Sequence, residues 1–344
     1  MLKRAIISAG LHGSDLVRAH VWARFARGRG VILTFHHVRP PPPAGFAPNR
    51  LLEITPAFLG TVLDTLDALG FDIVPLGEVP ARLAGPEPER PFCVLTFDDG
   101  YRDNRDHAAP ILAARGAPWT LFVTRDFALG RGRLWWRELE EAVRRSPRVR
   151  HDGVDLPATT DAEKTRAFET LYWRLRAGPE DALRAATRRL AEEAGVDVDA
   201  LAAAACLTLD EIAALARDPR VTLGAHTLTH PMLAKLDGET ARREIVEGRA
   251  ALAEATGLEI RHLAYPVGDP GSAGAREFAL AREAGFETAV TTRPGHLFAE
   301  HGAHLHALPR VSVNGLHQSA GALRALLSGL PLLAWNRGRR VVAA

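Results

Sequence analysis

Eight short runs of apolar, β-branched and aromatic residues recur along the chain, most of them separated by stretches with helical periodicity. The runs are GVILTFHHV (30–38), DIVPL (72–76), FCVLTFDD (92–99), WTLFVT (119–124), VTLGAH (221–226), HLAYPV (262–267), TAVTT (288–292) and ALPRVSV (307–313). Short, continuously apolar runs suit strands buried on both faces, as in parallel sheets. Helices fit the intervals at about 56–69, where Pro56 suits a first turn after Thr55, and near 104–115, 208–217, 238–256 and 274–284. The alternation predicts an α/β protein with parallel strands and helical crossovers, either an open sheet or a barrel.

Residues 135–205 interrupt this rhythm. They show no convincing strand, and DAEKTRAFETLYWRLRA and EDALRAATRRLAEEAG within them have helical periodicity, so a helical insertion is expected. The main domain is expected at 30–330, with an amphipathic helical segment at 1–29 before it and a basic tail at 331–344 after it. In the first of these, Val17, Val21, Trp22 and Phe25 share a helical face ringed by Arg18, Arg24 and Arg27. Such a helix packs on the domain or attaches loosely to an anionic membrane surface. His12 and Asp15 interrupt the early apolar stretch, which makes a poor secretory signal, so a cytoplasmic location is expected, with peripheral membrane contact as the alternative to free solution. The formal net charge of +2 gives no excess that points to nucleic acid. Two cysteines, Cys93 and Cys206, make no disulfide framework.

In parallel α/β architectures, the carboxyl ends of the strands line the functional face. Several polar groups fall at such ends: Asp98 and Asp99, His36 and His37, His226 and His230, and the turn after Tyr265. Adjacent buried carboxylates repel and lose hydration, so Asp98 and Asp99 call for a cation, a proton or a division of labour. In GAHTLTHPML, His226 and His230 are four residues apart. On one helical turn that spacing puts both rings on one face, although Pro231 disfavours the α conformation at His230. Alone, the pair could be incidental loop histidines. Two histidines and one carboxylate, however, form a common catalytic zinc set. Thr227 stands where a metalloprotease helix would carry its glutamate, so a base must come from elsewhere. The two aspartates could supply one ligand and one base.

TFDDGY, HTLTHPML and AYPVG, in this order and separation and with the flanking PILAARGAPWTLFVT, resemble the NodB-homology polysaccharide deacetylases, carbohydrate esterase family 4. The likeness covers about 31–134 and 206–314. It implies a distorted (β/α) barrel interrupted here by the insertion, and a hydrolase that removes N-acetyl, sometimes O-acetyl, groups from glycans. Carried over by resemblance, Asp98 is the general base, and Asp99, His226 and His230 bind one divalent metal ion, zinc in the first instance, with cobalt, nickel or another divalent ion as alternatives. The metal would polarise the acetamide carbonyl and activate water.

The chain departs from the family pattern in two places. Many members begin the third motif with an arginine that pairs with the base; here the aligned residues are Ala264, Tyr265, Pro266, Val267 and Gly268, and Ala264 cannot make that pair. Arg310 in LPRVSV is a candidate substitute cation, or else a surface ion pair, and the Val267 N–H remains a candidate oxyanion donor. A late histidine motif that supplies the acid in many members is also missing; HGAHLH (301–306) reads as a loop. ILTFHHV instead resembles the YHxV segment of the poly-N-acetylglucosamine deacetylase branch, which makes His36 the candidate general acid and turns His37 to the opposite side. Tyr101 is expected to shape the substrate floor, with Tyr265 and Pro266 near the oxyanion. Asn104 reads as a contact or a helix cap, and Trp135 and Trp136 as hydrophobic anchors or sugar contacts. The expected partner is an N-acetylated glycan or lipid-linked sugar. The rival readings are an inactive carbohydrate-binding domain of the same fold and a non-haem iron oxygenase, since two histidines and a carboxylate also hold iron.

Overall fold

In a computed structural model that describes residues 24–343, each of the eight apolar runs contains a strand. Most of the amphipathic segment expected at 1–29 lies outside the described residues. The strands are β1 Gly30–Phe35, β2 His37–Val38, β3 Glu53–Ile54, β4 Asp72–Ile73, β5 Phe92–Phe97, β6 Trp119–Val123, β7 Arg148–His151, β8 Val154–Pro157, β9 Val221–Ala225, β10 His262–Ala264, β11 Thr288–Pro294 and β12 Leu308–Ser312. Seven of them close a barrel in the order β1-β12-β11-β10-β9-β6-β5, and β5 pairs back onto β1. Each of these pairings is parallel. β4 pairs only with the first residues of β5, and β2 and β3 form a separate parallel pair.

The side-chain period of two sorts the strands into two cores. Val31, Leu33 and Phe35 of β1 and Cys93, Leu95 and Phe97 of β5 face the surrounding helices. Ile32, Val94, Phe122, Ala264, Val290 and Leu308 form the other cluster, which fills the barrel. Gly224 of β9 is small by necessity, since a Cβ there would lie 2.4 Å from the Phe122 ring.

The helix Pro56–Ala68 starts as its sequence suggests: the Thr55 hydroxyl accepts the Phe58 N–H at 3.1 Å. The helix Gly238–Thr256 begins at Asp237 and ends at Gly257, whose left-handed backbone closes it. A short helix, Leu330–Trp335, runs across the boundary expected at 330.

The insertion requires a correction. Four helices, Trp135–Arg145, Asp161–Ala177, Glu180–Glu193 and Val198–Ala205, account for most of it. Between the first two, however, β7 and β8 form an antiparallel hairpin. Asp152 and Gly153 turn it with φ of 45° and 75°, the positive pair that a two-residue Asp-Gly hairpin demands. The insertion has its own core, where Trp135, Leu139, Phe168, Leu171, Leu183 and Leu190 pack together.

Candidate active site

The alternation that fills the barrel also builds the site. Continuing the inward series Ile32, Thr34 brings His36 to the carboxyl end of β1; Val94, Thr96 leads to Asp98, and Leu308 leads to Arg310. The Asp98 N–H still donates to Phe35 O at 3.0 Å, so the β1–β5 pairing holds one residue past the strand. The chain then turns through Asp99 and Gly100, with φ of 72° and 68°. Asp99, Thr227, His230 and Val267 are four of the six non-glycine residues with positive φ among the described residues. Each such conformation costs on the order of 1–3 kcal/mol and persists only where its surroundings fix it.

Arg310 forms a fork on Asp98. Its Nη1 donates to Oδ1 at 2.7 Å and its Nη2 to Oδ2 at 2.6 Å. Nη1 also reaches Thr96 Oγ1 at 3.1 Å, and Nε donates to Thr291 O at 2.9 Å. Both residues are buried. Burial alone would push the Asp98 carboxyl up, but the Arg310 charge and hydrogen bonds, helped by His226 and His36, hold it below its ordinary value. Arg310 thus supplies from β12 the pairing that Ala264 cannot make.

Asp99 faces the two histidines. His230 Nε2 lies 3.3 Å and His226 Nε2 3.5 Å from Asp99 Oδ1. His226 Nδ1 is 2.7 Å from Ala264 O; a carbonyl only accepts, so Nδ1 carries the proton and Nε2 presents a lone pair toward Asp99. Asp99 Oδ1 is buried and has no hydrogen bond of its own. An imidazole lone pair beside an orphaned buried carboxylate oxygen calls for a cation between them. Ligand atoms of the three residues lie within 4.8 Å of one another, and the two-nitrogen, one-oxygen donor set fits zinc or a similar divalent ion.

The helix Gly238–Thr256 fixes the histidine turn. Glu244 accepts the N–H groups of Leu228 and Thr229 at 3.0 and 2.9 Å and the Thr229 hydroxyl at 2.8 Å. Gly248 lets the helix approach, since a Cβ there would stand 2.7 Å from the Thr227 carbonyl carbon. Sequence reasoning missed Glu244; its position on a polar helix face gave no signal.

The two adjacent histidines part company. His36 lines the cleft with Nε2 4.0 Å from Asp98 Oδ2. Burial lowers its pKa despite Asp98 and Asp99 nearby. His37 turns away, its Nδ1 2.6 Å from Asp103 Oδ2 and its ring stacked on Tyr101 at 3.6 Å. Asn104 caps no helix with its side chain; its Nδ2 donates to His36 O at 2.7 Å and pins that residue.

Tyr101 and Tyr265 do not line the cleft. Tyr101 is buried behind the metal-ligand candidates in the insertion's core. Tyr265 points into the barrel–helix core, and its hydroxyl donates to His306 O at 2.8 Å. Pro266 is also buried. Val267 does line the cleft, and its N–H meets no acceptor among the described residues. Trp135 and Trp136 are both buried anchors, and both also line the cleft, the Trp136 ring 5.1 Å from that of His230.

The cleft above these groups encloses about 610 Å³. One wall comes from the insertion helix Asp161–Ala177, in the segment whose sequence reading was a role in substrate choice, and the other from residues 45–52 and Leu316, which sequence reasoning did not assign to the site.

A family model described as polysaccharide deacetylase matches residues 85–289, more than half of the chain. That span contains Asp98, Asp99, His226, His230 and Val267 and leaves His36 and Arg310 outside. No curated protein matches the chain significantly. Among solved structures, the chain is similar to the deacetylase PplD of Streptococcus pyogenes in complex with acetate, at 18% identity over 87% of this chain and 97% of that one, with a TM-score of 0.58. It is also similar to IcaB from Ammonifex degensii, at 19% identity over 88% and 98% of the two chains and a TM-score of 0.54. A de-N-acetylase from Aggregatibacter actinomycetemcomitans gives 12% identity over 86% and 98%, with a TM-score of 0.52. At these identities the likeness is one of fold.

Proposed function

The chain belongs to the polysaccharide deacetylase family, and from that premise we propose that it is a metal-dependent hydrolase that removes N-acetyl groups from an amino sugar, with Asp98 as the base. The observation that carries this reading is the contrast between the two aspartates: Asp98 is forked by Arg310, whereas Asp99 leaves a bare oxygen toward two imidazoles.

A divalent ion held by Asp99, His226 and His230 would polarise the acetyl carbonyl and make water acidic enough to attack near neutral pH. Asp98 is a carboxylate at neutral pH because its pKa is depressed, and it takes the proton released as the water oxygen bonds to the carbonyl carbon. Arg310 keeps both Asp98 oxygens aimed and charged. The Val267 N–H, without an acceptor of its own, is the candidate donor to the developing oxyanion. As the C–N bond breaks, the sugar nitrogen needs a proton, and His36, which lines the cleft with Nε2 4.0 Å from Asp98 Oδ2, is the candidate donor in its protonated form. The products are acetate and a free amine.

Mass spectrometry of a panel of N-acetylated sugars after incubation with the zinc-, cobalt- or nickel-loaded protein tests the reading. Loss of an acetyl group from at least one amino sugar is expected. Asp98→Asn should bind the same amount of metal and lose turnover by about 10²-fold or more. No acetyl release from any amino sugar or acetyl ester by the metal-loaded protein, or near-normal turnover in Asp98→Asn, would overturn it.

A further inference from the structure

Three of the eight large apolar side chains exposed among the described residues line the same cleft: Leu51 at 41%, Leu316 at 44% and Trp173 at 63%. Scattered single apolar residues are ordinary on a surface, but a group that frames one opening marks a binding site. Leu51 and Leu316 are joined through the backbone, since the Gly315 N–H donates to Leu51 O at 3.3 Å. Trp173 stands on the insertion wall, its ring edge-on to Tyr172 at 5.2 Å.

The polar residues between these walls are mostly spent inside the protein. Asn49 donates to Trp136 O and to Glu140. Arg176 is held by Asp269 at 2.8 Å. The Thr165 hydroxyl donates to Asp161 O, and that of Thr292 to Val267 O. A cleft that binds successive sugar units needs free donors and acceptors for their hydroxyls, because a buried hydroxyl without a partner is costly. Arg50 is different: it lines the cleft and is only half-buried, and its guanidinium has no partner among the described residues. A free guanidinium beside an apolar groove matches a phosphate attached to a hydrocarbon chain. Among the described residues that line the cleft, Glu169 is the one carboxylate outside the catalytic cluster, and it sits on the insertion wall rather than on the segment that carries Arg50. The volume of about 610 Å³ lies within the range of roughly 300–1,000 Å³ for small-molecule sites.

Resting on the N-deacetylase reading, we infer that the substrate is an N-acetylated amino sugar linked through phosphate to an isoprenoid-type lipid. The sugar lies over Asp98 and the metal ligands, the phosphate meets Arg50, and the first isoprene units run along Leu51, Leu316 and Trp173.

The test is binding to the full, zinc-loaded chain, measured by titration calorimetry with farnesyl phosphate, farnesol, inorganic phosphate and N-acetylglucosamine tetramer. Farnesyl phosphate should bind at least tenfold more tightly than either farnesol or phosphate, which separates a lipid phosphate from an anion site alone. Arg50→Gln should weaken farnesyl phosphate about tenfold and leave farnesol unaffected, with partial recovery in Arg50→Lys. Leu316→Ser and Trp173→Ala should weaken farnesyl phosphate and farnesol together. Equal affinity of wild type and Arg50→Gln for farnesyl phosphate, or tighter binding of the sugar tetramer, overturns the inference. Because this readout needs no turnover, it stands apart from the deacetylase reading, which hydrolysis of p-nitrophenyl acetate and of N-acetylglucosamine by the same zinc-loaded wild-type protein tests separately.

Discussion

Without Arg310, the Asp98 carboxylate would be left in a buried site with no fork to hold its charge. Breaking one side of a buried ion pair costs about 3–5 kcal/mol, and Arg310→Met should be destabilised by that order in denaturant titration. The pKa argument has a definite sign. The folded-state pKa of Asp98 is depressed, so its contribution to stability is complete above the ordinary aspartate value of about 3.9 and is lost as pH falls through the lower folded value. In Arg310→Met, burial, already the largest single influence, loses its main opposition and raises that pKa. The base must be ionised to act, so the acid limb of kcat/KM should move to higher pH; an unmoved limb in a folded Arg310→Met protein would separate Arg310 from the base. His36 predicts a different signature. Its Nε2 is 4.0 Å from Asp98 Oδ2, close enough to share a substrate and too far for a direct hydrogen bond. A departing amine needs protonation far more than a phenolate does. His36→Ala should therefore lose most amide hydrolysis while losing much less on p-nitrophenyl acetate, and His37→Ala, whose ring faces Asp103, should not reproduce that difference. Equal losses on both substrates in His36→Ala would remove the acid role.

The barrel strands were legible because strands buried on both faces leave uninterrupted apolar runs: GVILTF and FCVLTF are buried at every position. The β7–β8 hairpin was not. Its strands are four residues each, carry Arg148 and Arg150, and bury only Val149 fully, so the Asp-Gly turn was their one local signal. The metal-ligand candidates were legible from motif and spacing; Arg310, 212 residues from Asp98 on β12, was legible only as a candidate, through the arginine missing at Ala264, because no local pattern spans that distance to separate the fork from a surface ion pair. Tyr101 and Tyr265 show the limit of adjacency: each neighbours a site residue in sequence, and each points into a core. Glu244 belongs to this scale because it ties the helix Gly238–Thr256 to the His226–His230 turn. Glu244→Ala would leave the Thr229 N–H and hydroxyl without their acceptor and the Leu228 N–H with only the residue-244 backbone oxygen, and so loosen a turn that holds Thr227 and His230 at positive φ. Outer supports of metal ligands are typically worth about 10–100-fold in affinity. Zinc competition with a chromogenic chelator should show a loss of that size in Glu244→Ala and a smaller one in Glu244→Gln, which keeps one acceptor oxygen. Unchanged zinc affinity in Glu244→Ala would mean that the turn holds itself.

Across the whole molecule, the candidate metal ligands come from the ends of β5 and β9, and the complete insertion lies between them in sequence. The buried Asp99 oxygen has no hydrogen bond within the chain, and four backbone positions around the cleft are strained, costs that the barrel and the insertion's core must offset. An ion that binds the folded arrangement and not the unfolded chain stabilises it by mass action, by about 2.7 kcal/mol at a hundred times its Kd. For a domain of this size that corresponds to a rise in Tm on the order of 5 °C. Differential scanning calorimetry of the chelator-stripped protein should show that rise on adding zinc and its reversal on adding excess chelator. His226→Ala and His230→Ala should each abolish most of the zinc-dependent rise, because two remaining ligands cannot close the set. Asp98→Asn should keep it, because Asp98 is engaged by Arg310 on both oxygens. A zinc-dependent rise that survives in both histidine variants would place the ion elsewhere. One that vanishes in Asp98→Asn would make Asp98 a ligand and return the question of the base to another residue.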